Sequence, residues 1–165
     1  MTDVVATWGA RLLRSRWFAR APIPLFRAGL GALFTRRLLM LEHVGRTTGE
    51  ARYVVLEVVQ EEPPSSWIVA SGFGPGAQWF RNLRAQPRCH VSVGRLRRRR
   101  ARASVLDEAE REIVLAAYQE EHPGAWAKLS AVITEATGQS DLDIPLVRLA
   151  LVDAPPRRGL GRNGI

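Results

Sequence analysis

The sequence predicts an α+β protein built mainly from an antiparallel β-barrel with a few flanking helices. Short apolar runs follow one another with turn-forming residues between them, as in a chain of hairpins. Few segments have helical spacing, and these are inserted singly between the strands. A chain of 165 residues that is 46% hydrophobic can bury a core and is most economically one domain.

The first half of the barrel is predicted to contain three strands and one helix. In order, the elements are strands at 38–44 and 52–60, a turn at 63–66, a strand at 67–71, a glycine-rich loop at 72–77 and a helix at 78–86. In the helix, Trp79 and Leu83 lie one turn apart, and Pro87 ends it.

The second half is predicted to contain a hairpin, two helices and a last strand. The hairpin comprises strands at 89–94 and 95–106, and the last strand is at 144–152. Asp107 and Glu110 have the spacing of a capping box, which starts a helix that runs to about residue 121. A second helix begins at Pro123, and its expected buried face and end are Trp126, Leu129, Ile133, Ala136 and Gly138.

Two segments flank the predicted barrel of residues 38–152. Residues 1–37 are basic and aromatic, and "APIP" at 21–24 divides them into two helices. This helical extension either packs on the barrel or anchors the protein peripherally to an anionic membrane surface through its basic amphipathic face. Residues 153–165 are expected to be a flexible tail.

The composition limits the possible partners. A net charge of +8 attracts nucleic acid, anionic lipid or a polyanionic cofactor. One cysteine excludes an internal disulfide and fits a cytoplasmic location, and the three histidines have no metal-site spacing, so we expect no metal. We expect no signal peptide, and no run of about 20 apolar residues could span a membrane.

The turn "HVGRTTGEARY" at 43–53 is richer in anion-binding groups than a plain hairpin requires. Arg46 and Arg52 offer planar guanidinium groups, and Thr47 and Thr48 offer hydroxyl donors beside small residues that expose backbone amides. The spacing is not that of a Walker A loop. An anion site and an ordinary charged hairpin both remain open from these residues alone.

Three other motifs allow more than one interpretation. The loop "ASGFGPGAQWF" at 70–80 departs from the dinucleotide fingerprint, and Trp79 is either a core residue or a stacking surface for a flat ring. The run "RLRRRRAR" at 95–102 lacks the aromatics of a nucleic-acid binder, so we expect a solvated edge strand. His122 is either structural or catalytic, and without a catalytic triad the chemistry is expected to be a cofactor's.

Three sequence blocks in this order resemble one known family. They are "VGRTTGEARYVVLEV", "WIVASGFGPGAQWFRNLRAQPRCHVSVG" and the run at 103–112, which contains Glu110 and Arg111. Together they are similar to the deazaflavin (coenzyme F-420)-dependent nitroreductases, also called quinone reductases, of the split β-barrel flavin-binding superfamily. The resemblance covers residues 38–152 and implies a split β-barrel and an oxidoreductase activity.

The resemblance also implies roles for individual residues. The hairpin with Arg46, Thr47, Thr48 and Arg52 would hold the cofactor's acidic tail, although relatives often have lysine at the Thr47 position. The other implied contacts are Ser71 and Gly72 for the ring, and Trp79 and Asn82 from the family's W-x-x-N pattern.

The acceptor is less well defined by the resemblance. Relatives that activate nitroimidazoles have tyrosines where this chain has "HPGAWAKL". Trp126 and Lys128 are therefore the expected pocket residues, and His122 the expected proton donor. The expected reaction is hydride transfer from reduced coenzyme F-420 to a quinone or another electron-poor conjugated or nitro acceptor. The alternatives are an FMN-dependent oxidoreductase of the same superfamily and a non-catalytic deazaflavin-binding or lipid-binding protein.

Overall fold

The computed structural model describes residues 23–28, 30, 36–72, 74–124, 126–127, 130–131 and 144–152. Its strands are β1 (Leu38–Val44), β2 (Ala51–Glu62), β3 (Ser66–Ala70), β4 (Arg88–Val93), β5 (Leu96–Val105) and β6 (Leu146–Leu151). Its helices are α1 (Ile23–Arg27), α2 (Gln78–Ala85) and α3 (Glu108–Glu121), with a 3₁₀ turn at Gly74–Gly76.

The six strands close into a barrel in the order β1-β2-β3-β6-β5-β4. Every neighbouring pair is antiparallel, including β1 with β4, the pair that closes the ring. Each strand predicted from the sequence is present within two residues of its expected ends. The predicted antiparallel barrel of the α+β class is therefore confirmed.

Alternate strand residues fill the barrel, and α2 closes one end of it. Leu39 and Leu41 of β1 are fully buried and pair with Leu56 and Val54 of β2. From α2, Trp79, Phe80 and Leu83 join the same core cluster. The helical spacing of these apolar residues gives α2 one buried face, and that face packs against the core at one end of the barrel.

Helix α3 packs outside the barrel over a second apolar cluster. Val114 of α3 joins Ile68, Leu106, Ile144 and Leu146 there, and Trp126 packs against the group. The capping box expected from the sequence is present, with the Glu110 amide donating to Asp107 Oδ1 at 2.8 Å. The other residues expected on the following helix, Leu129, Ile133, Ala136 and Gly138, lie outside the described residues.

A salt bridge fastens the start of α3 to the barrel. The Arg148 guanidinium donates to both carboxylate oxygens of Glu62 at 2.8 and 3.0 Å, and to Glu110 Oε1 at 3.0 Å. These carboxylates raise the pKa of Arg148, so the guanidinium stays charged at any physiological pH.

The arginine-rich strand β5 is not an edge strand, which corrects the expectation from its sequence. It pairs with β4 on one side and β6 on the other, because closure of the barrel removes all edges. Its register with β4 shifts near Arg98, whose φ of 43° is in the left-handed region. There Arg98 makes two 2.8 Å hydrogen bonds to Glu42, and this pairing lowers the pKa of the Glu42 carboxyl.

The described part of the N-terminal extension packs on the barrel. Phe26 is only 3% exposed, and the Arg27 guanidinium lies 5.4 Å from the ring centroid of Tyr53 on β2. This agrees with the interpretation of a packed extension for residues 23–28. Residues 1–22 and the tail 153–165 lie outside the described residues, and the membrane-anchor interpretation stays a prediction. Among the described helices, none has the length and apolarity needed to cross a membrane.

We expect Phe26→Ala to lower the free energy of unfolding by about 3 kcal/mol, the scale for truncating a buried phenylalanine. Leu25→Ala is the matched control, since Leu25 is 39% exposed, and it should cost less than about 1 kcal/mol. Urea denaturation of both variants measures the difference. Equal losses would show that α1 contributes nothing specific to the packing.

Candidate functional site

The turn between β1 and β2 is an exposed loop with a defined backbone. The Gly45 amide donates to the Glu50 carbonyl at 2.8 Å, and the Gly49 amide donates to the Gly45 carbonyl at 2.8 Å. Gly49 has a φ of 71°, a conformation that side-chain-bearing residues rarely adopt. Within the described part of the chain, no backbone carbonyl accepts from the amides of Thr47 and Thr48, and both residues are exposed.

Gly45 lets two donor side chains cross the turn. A Cβ atom at this position would lie 2.9 Å from both Thr48 Oγ1 and Arg52 Nε. Arg52 is therefore able to lie across the turn, where its Nη2 is 3.5 Å from Thr48 Oγ1 and 3.5 Å from Glu50 Oε2. Guanidinium, hydroxyl and backbone amide groups converge there on one exposed surface.

Arg46 joins this turn to the helix that plugs the barrel. Its Nη1 donates to Gln78 Oε1 at 3.0 Å and to Asn82 Oδ1 at 2.9 Å. Its backbone amide also donates to Asn82 Oδ1, at 3.2 Å. The turn is thus fixed to α2 by three hydrogen bonds, and Arg46 is held over the first turns of that helix.

Behind Asn82 stands a histidine that the sequence analysis did not identify. Asn82 is 3% exposed and its Nδ2 lies 3.2 Å from His43 Nδ1, while His43 is itself 4% exposed. Burial, with a smaller contribution from the charge of nearby Arg52, lowers the pKa of His43 to about 4. His43 is therefore neutral at physiological pH. Its position in "EHVGR" gave one signal, because it extends the inward-facing series of Leu39 and Leu41.

Together these groups form a donor set for an anion with several charges. Arg46, Thr47, Thr48 and Arg52 are all exposed at the turn, as predicted for the hairpin. Guanidinium and hydroxyl donors beside free backbone amides suit phosphate and carboxylate oxygens. That these residues hold the acidic tail of a deazaflavin cofactor stays a prediction from the resemblance; Glu50, 3.5 Å from Arg52, is an acid at the same turn.

Ser71 shapes the glycine-rich loop from inside the protein. Ser71 is fully buried, its hydroxyl donates to the Gly74 carbonyl at 2.7 Å, and its amide donates to the Pro145 carbonyl at 2.9 Å. The Ser71 amide is therefore already hydrogen-bonded within the protein, and the contact of Ser71 with the ring stays a prediction. Gly72 is half-buried and stays the predicted ring contact, while Phe73 lies outside the described residues.

Trp79 belongs to the core rather than to a stacking surface. Its ring is 8% exposed and makes an edge contact with Phe80 at a centroid distance of 6.0 Å. Of the two interpretations of this residue, the structure favours the core one, because packing inside the barrel leaves no open ring face. Trp79 contributes to the site by fixing α2, which carries Gln78 and Asn82.

His122 and Trp126 lie at a different place from the hairpin. His122 caps the C-terminus of α3, with its ring 5.1 Å from that of Tyr118 and its side chain 43% exposed. Burial raises the pKa of the Tyr118 hydroxyl, the nearby charge of Glu57 raises it as well, and the charge of Arg37 opposes the increase. Glu57 is six residues from the hairpin end of β2, or about 20 Å along the strand.

The glycine-rich loop lies between these two groups. Its Ser71 amide bonds Pro145, which follows Ile144 of the cluster against which Trp126 packs. At its other end the loop leads into α2 and Gln78, the partner of Arg46. Lys128, the other expected pocket residue, lies outside the described residues.

Two other kinds of reactive centre can be assessed from the described residues. They contain no group of three or more histidine, cysteine or acidic side chains that could hold a metal. Cys89 is buried, and burial raises the pKa of its thiol to about 12, so within this fold it is not a reactive thiolate.

The low pKa of His43 gives a pH dependence of stability. In the unfolded chain His43 has its ordinary pKa of 6.5. Between pH 6.5 and 4 the unfolded chain therefore binds a proton that the folded protein does not, and this favours unfolding. This stability is fully present above pH 6.5 and is lost as the pH falls toward 4. We expect His43→Asn to reduce the decrease in unfolding free energy between pH 7 and pH 5, measured in urea. An unchanged decrease would assign it to other groups.

A comparison with family models identifies one match. Residues 25–135 match the model of the family described as F420H(2)-dependent quinone reductase. No curated protein matches the chain significantly.

The solved structures similar to this chain share its fold. A structure named as an F420-H2 dependent reductase (FDR-A) is 23% identical over 70% of this chain and 95% of its own, with a TM-score of 0.50. A protein of unknown function from Agrobacterium tumefaciens is 18% identical over 80% of this chain and 55% of its own, with a TM-score of 0.52. A structure described as a domain-swapped dimer is 21% identical over 78% of this chain and 99% of its own, with a TM-score of 0.50.

The family match spans the hairpin, the glycine-rich loop, α2 and α3. It agrees with the fold, with the donor set at the hairpin and with the resemblance seen in the sequence. Coenzyme F-420 is accordingly the cofactor, and the protein is a reductase that depends on it. The chain belongs to the F420H(2)-dependent quinone reductase family.

Proposed function

We propose that this reductase binds the acidic tail of coenzyme F-420 at the β1–β2 hairpin and transfers a hydride to a quinone or another electron-poor conjugated or nitro acceptor. The observation that carries the proposal is the clamped position of Arg46, which Asn82 and Gln78 fix over α2. A plain charged hairpin would not need its arginine attached to a helix through a buried amide.

The hairpin binds the tail through charge-assisted hydrogen bonds. Arg46 and Arg52 take phosphate or carboxylate oxygens, and Thr48 adds a hydroxyl between them. Because Arg46 is already oriented by three hydrogen bonds, little side-chain entropy is lost when an anion binds. The weak pair between Arg52 and Glu50 is exposed at both ends and is readily exchanged for a ligand anion.

The loop after β3 is the proposed place for the flat ring. When bound, the reduced deazaflavin supplies the hydride, and the protein supplies orientation and a dry surface. Ser71 keeps the loop rigid through its bonds to Gly74 and Pro145, and Gly72 leaves backbone accessible beside it. Trp126 and its apolar cluster form the neighbouring wall, which excludes water from the acceptor side.

Addition of a hydride to a quinone or an activated alkene leaves an anion that needs a proton. His122 is proposed as the donor, because it stands exposed at the end of α3 next to Tyr118 and four residues before Trp126. The Trp126 amide donates to the His122 carbonyl at 2.9 Å, which fixes the spacing of the two residues. Solvent is the competing proton source.

The direct test mixes the purified protein with reduced coenzyme F-420 and menadione under anaerobic conditions. We expect reoxidation of the cofactor at a rate that depends on protein concentration, followed by its absorbance and fluorescence. FMN, which lacks the long acidic tail, should bind more weakly in calorimetry. Absence of turnover with menadione and with nitro acceptors would contradict the proposed acceptor class, and tighter FMN binding would contradict the role of the tail.

Arg46→Ala and Arg52→Ala should each weaken cofactor binding by about 1.5–3 kcal/mol, the scale of a hydrogen bond to a charged group. Both side chains are exposed at the turn, so the melting temperature should change little. Arg95→Ala is the control, since Arg95 is an exposed arginine in the separate β4–β5 turn. Unchanged affinity in both hairpin variants would remove the hairpin from the cofactor site.

His122→Ala should lower the single-turnover rate of menadione reduction by about 10²-fold while leaving cofactor affinity intact, the usual scale of general acid catalysis. Because the His122 side chain is exposed, its removal should leave the fold intact, so such a loss of rate would not result from unfolding. A variant that retains the parent's rate would assign the proton to solvent and leave His122 as a helix cap.

A further inference from the structure

The buried pair His43 and Asn82 stands behind the hairpin and touches solvent hardly at all. Both side chains are less than 5% exposed, so neither offers the cofactor a surface of its own. Asn82 matches a cofactor-associated motif, yet its hydrogen bonds go to Arg46 and His43. Its contribution to binding therefore has to pass through another residue.

The amide of Asn82 has a defined direction. Its oxygen accepts from the Arg46 amide at 3.2 Å and from the Arg46 guanidinium at 2.9 Å, both of which are obligate donors. The amide nitrogen therefore faces His43, and at 3.2 Å it needs an acceptor there. Only the neutral tautomer with the proton on Nε2 provides that acceptor at Nδ1.

We propose that His43 and Asn82 are positioning residues that hold the Arg46 guanidinium ready for the acidic tail of the cofactor. His43 fixes the orientation of the Asn82 amide, and the amide oxygen fixes both the backbone and the side chain of Arg46. This inference rests on the proposed role of the hairpin. It adds that a histidine and an asparagine out of the cofactor's reach set the affinity for its tail.

A positioning role has a definite kinetic signature. Loss of the hydrogen bonds that connect His43, Asn82 and Arg46 (the relay) frees Arg46 to adopt other rotamers. The apparent KM for reduced coenzyme F-420 then rises. The ring and the acceptor are bound elsewhere, at the loop after β3 and near Trp126, so kcat with saturating cofactor stays within about twofold. A general loss of folded protein would instead lower the amplitude of turnover without changing KM.

The test is a double-mutant cycle on the affinity of the apoprotein for coenzyme F-420, measured by fluorescence titration with Arg46→Ala, Asn82→Ala and the double variant. Each single variant should bind at least about tenfold more weakly, and Asn82→Ala should have no further effect once Arg46 is absent. Additive losses would overturn the relay while leaving Arg46 a tail contact. An unchanged affinity in Arg46→Ala would overturn the proposed positioning of Arg46, and an unchanged affinity in Arg52→Ala as well would overturn the hairpin role.

A second pair of variants and a spectroscopic measurement address the histidine. His43→Asn keeps an acceptor near the Nδ1 position and should retain affinity within about threefold, whereas His43→Leu should lose about tenfold. His90→Leu is the matched control and should change affinity less than twofold. His90 is on β4 and lies beside Glu42 of β1, away from Asn82. Nitrogen-15 NMR of the unsubstituted apoprotein at pH 7 should show His43 with its proton on Nε2. A proton on Nδ1, or equal affinities for His43→Asn and His43→Leu, would overturn the proposal.

Discussion

The buried amide of Asn82 is the contact on which the functional end of the barrel depends. Helix α2 has four buried side chains, and Asn82 is the polar one among them. Each buried donor or acceptor without a hydrogen-bond partner lowers the stability of the fold by about 1–3 kcal/mol. The packing of α2 against the barrel therefore depends on hydrogen-bond partners for the Asn82 amide. His43 from β1 and Arg46 from the hairpin satisfy it, and in doing so they tie helix, strand and turn into one unit.

The structure separates arginines that support the fold from arginines that are open to ligands. Arg98 and Arg148 each make paired hydrogen bonds to a carboxylate in a well-shielded position, at Glu42 and Glu62. The guanidinium group of Arg52 has only the exposed Glu50 beside it, at 3.5 Å, a pair of little net energy. The strength of its ion pair, rather than the presence of the arginine, thus distinguishes a structural residue from a binding one.

The sequence was a good guide wherever the relevant interaction is local. Asp107 and Glu110 are three residues apart and form the capping box that their spacing indicates. The hairpin's glycines and arginines also lie within one turn, so its exposure and donor set follow from "HVGRTTGEARY" alone. The strands themselves were recognisable from their apolar runs because each run has the length of a strand.

Contacts between distant segments could not be obtained in this way. The closure of β1 against β4 is what makes β5 an inner member of the ring, and nothing in "RLRRRRAR" carries that information. Likewise, His43 and Asn82 are 39 residues apart, and Trp79 is buried because α2 folds back into the barrel end. The Ser71 amide is hydrogen-bonded to the carbonyl of Pro145, which is more than 70 residues away in the sequence.

The hairpin and the end of α3, where the proposed function locates tail binding and proton donation, lie in different parts of the molecule. About 20 Å of β2 lies between the turn and Glu57, near the C-terminal end of α3. In the proposed function, the tail supplies affinity at a rigid anchor that takes no part in the reaction, and the loop after β3 orients the ring between the two regions. Binding energy gathered far from the reacting atoms then serves to position them. In that arrangement, substitutions near Trp126 would change the acceptor without changing the contacts that hold the cofactor's tail.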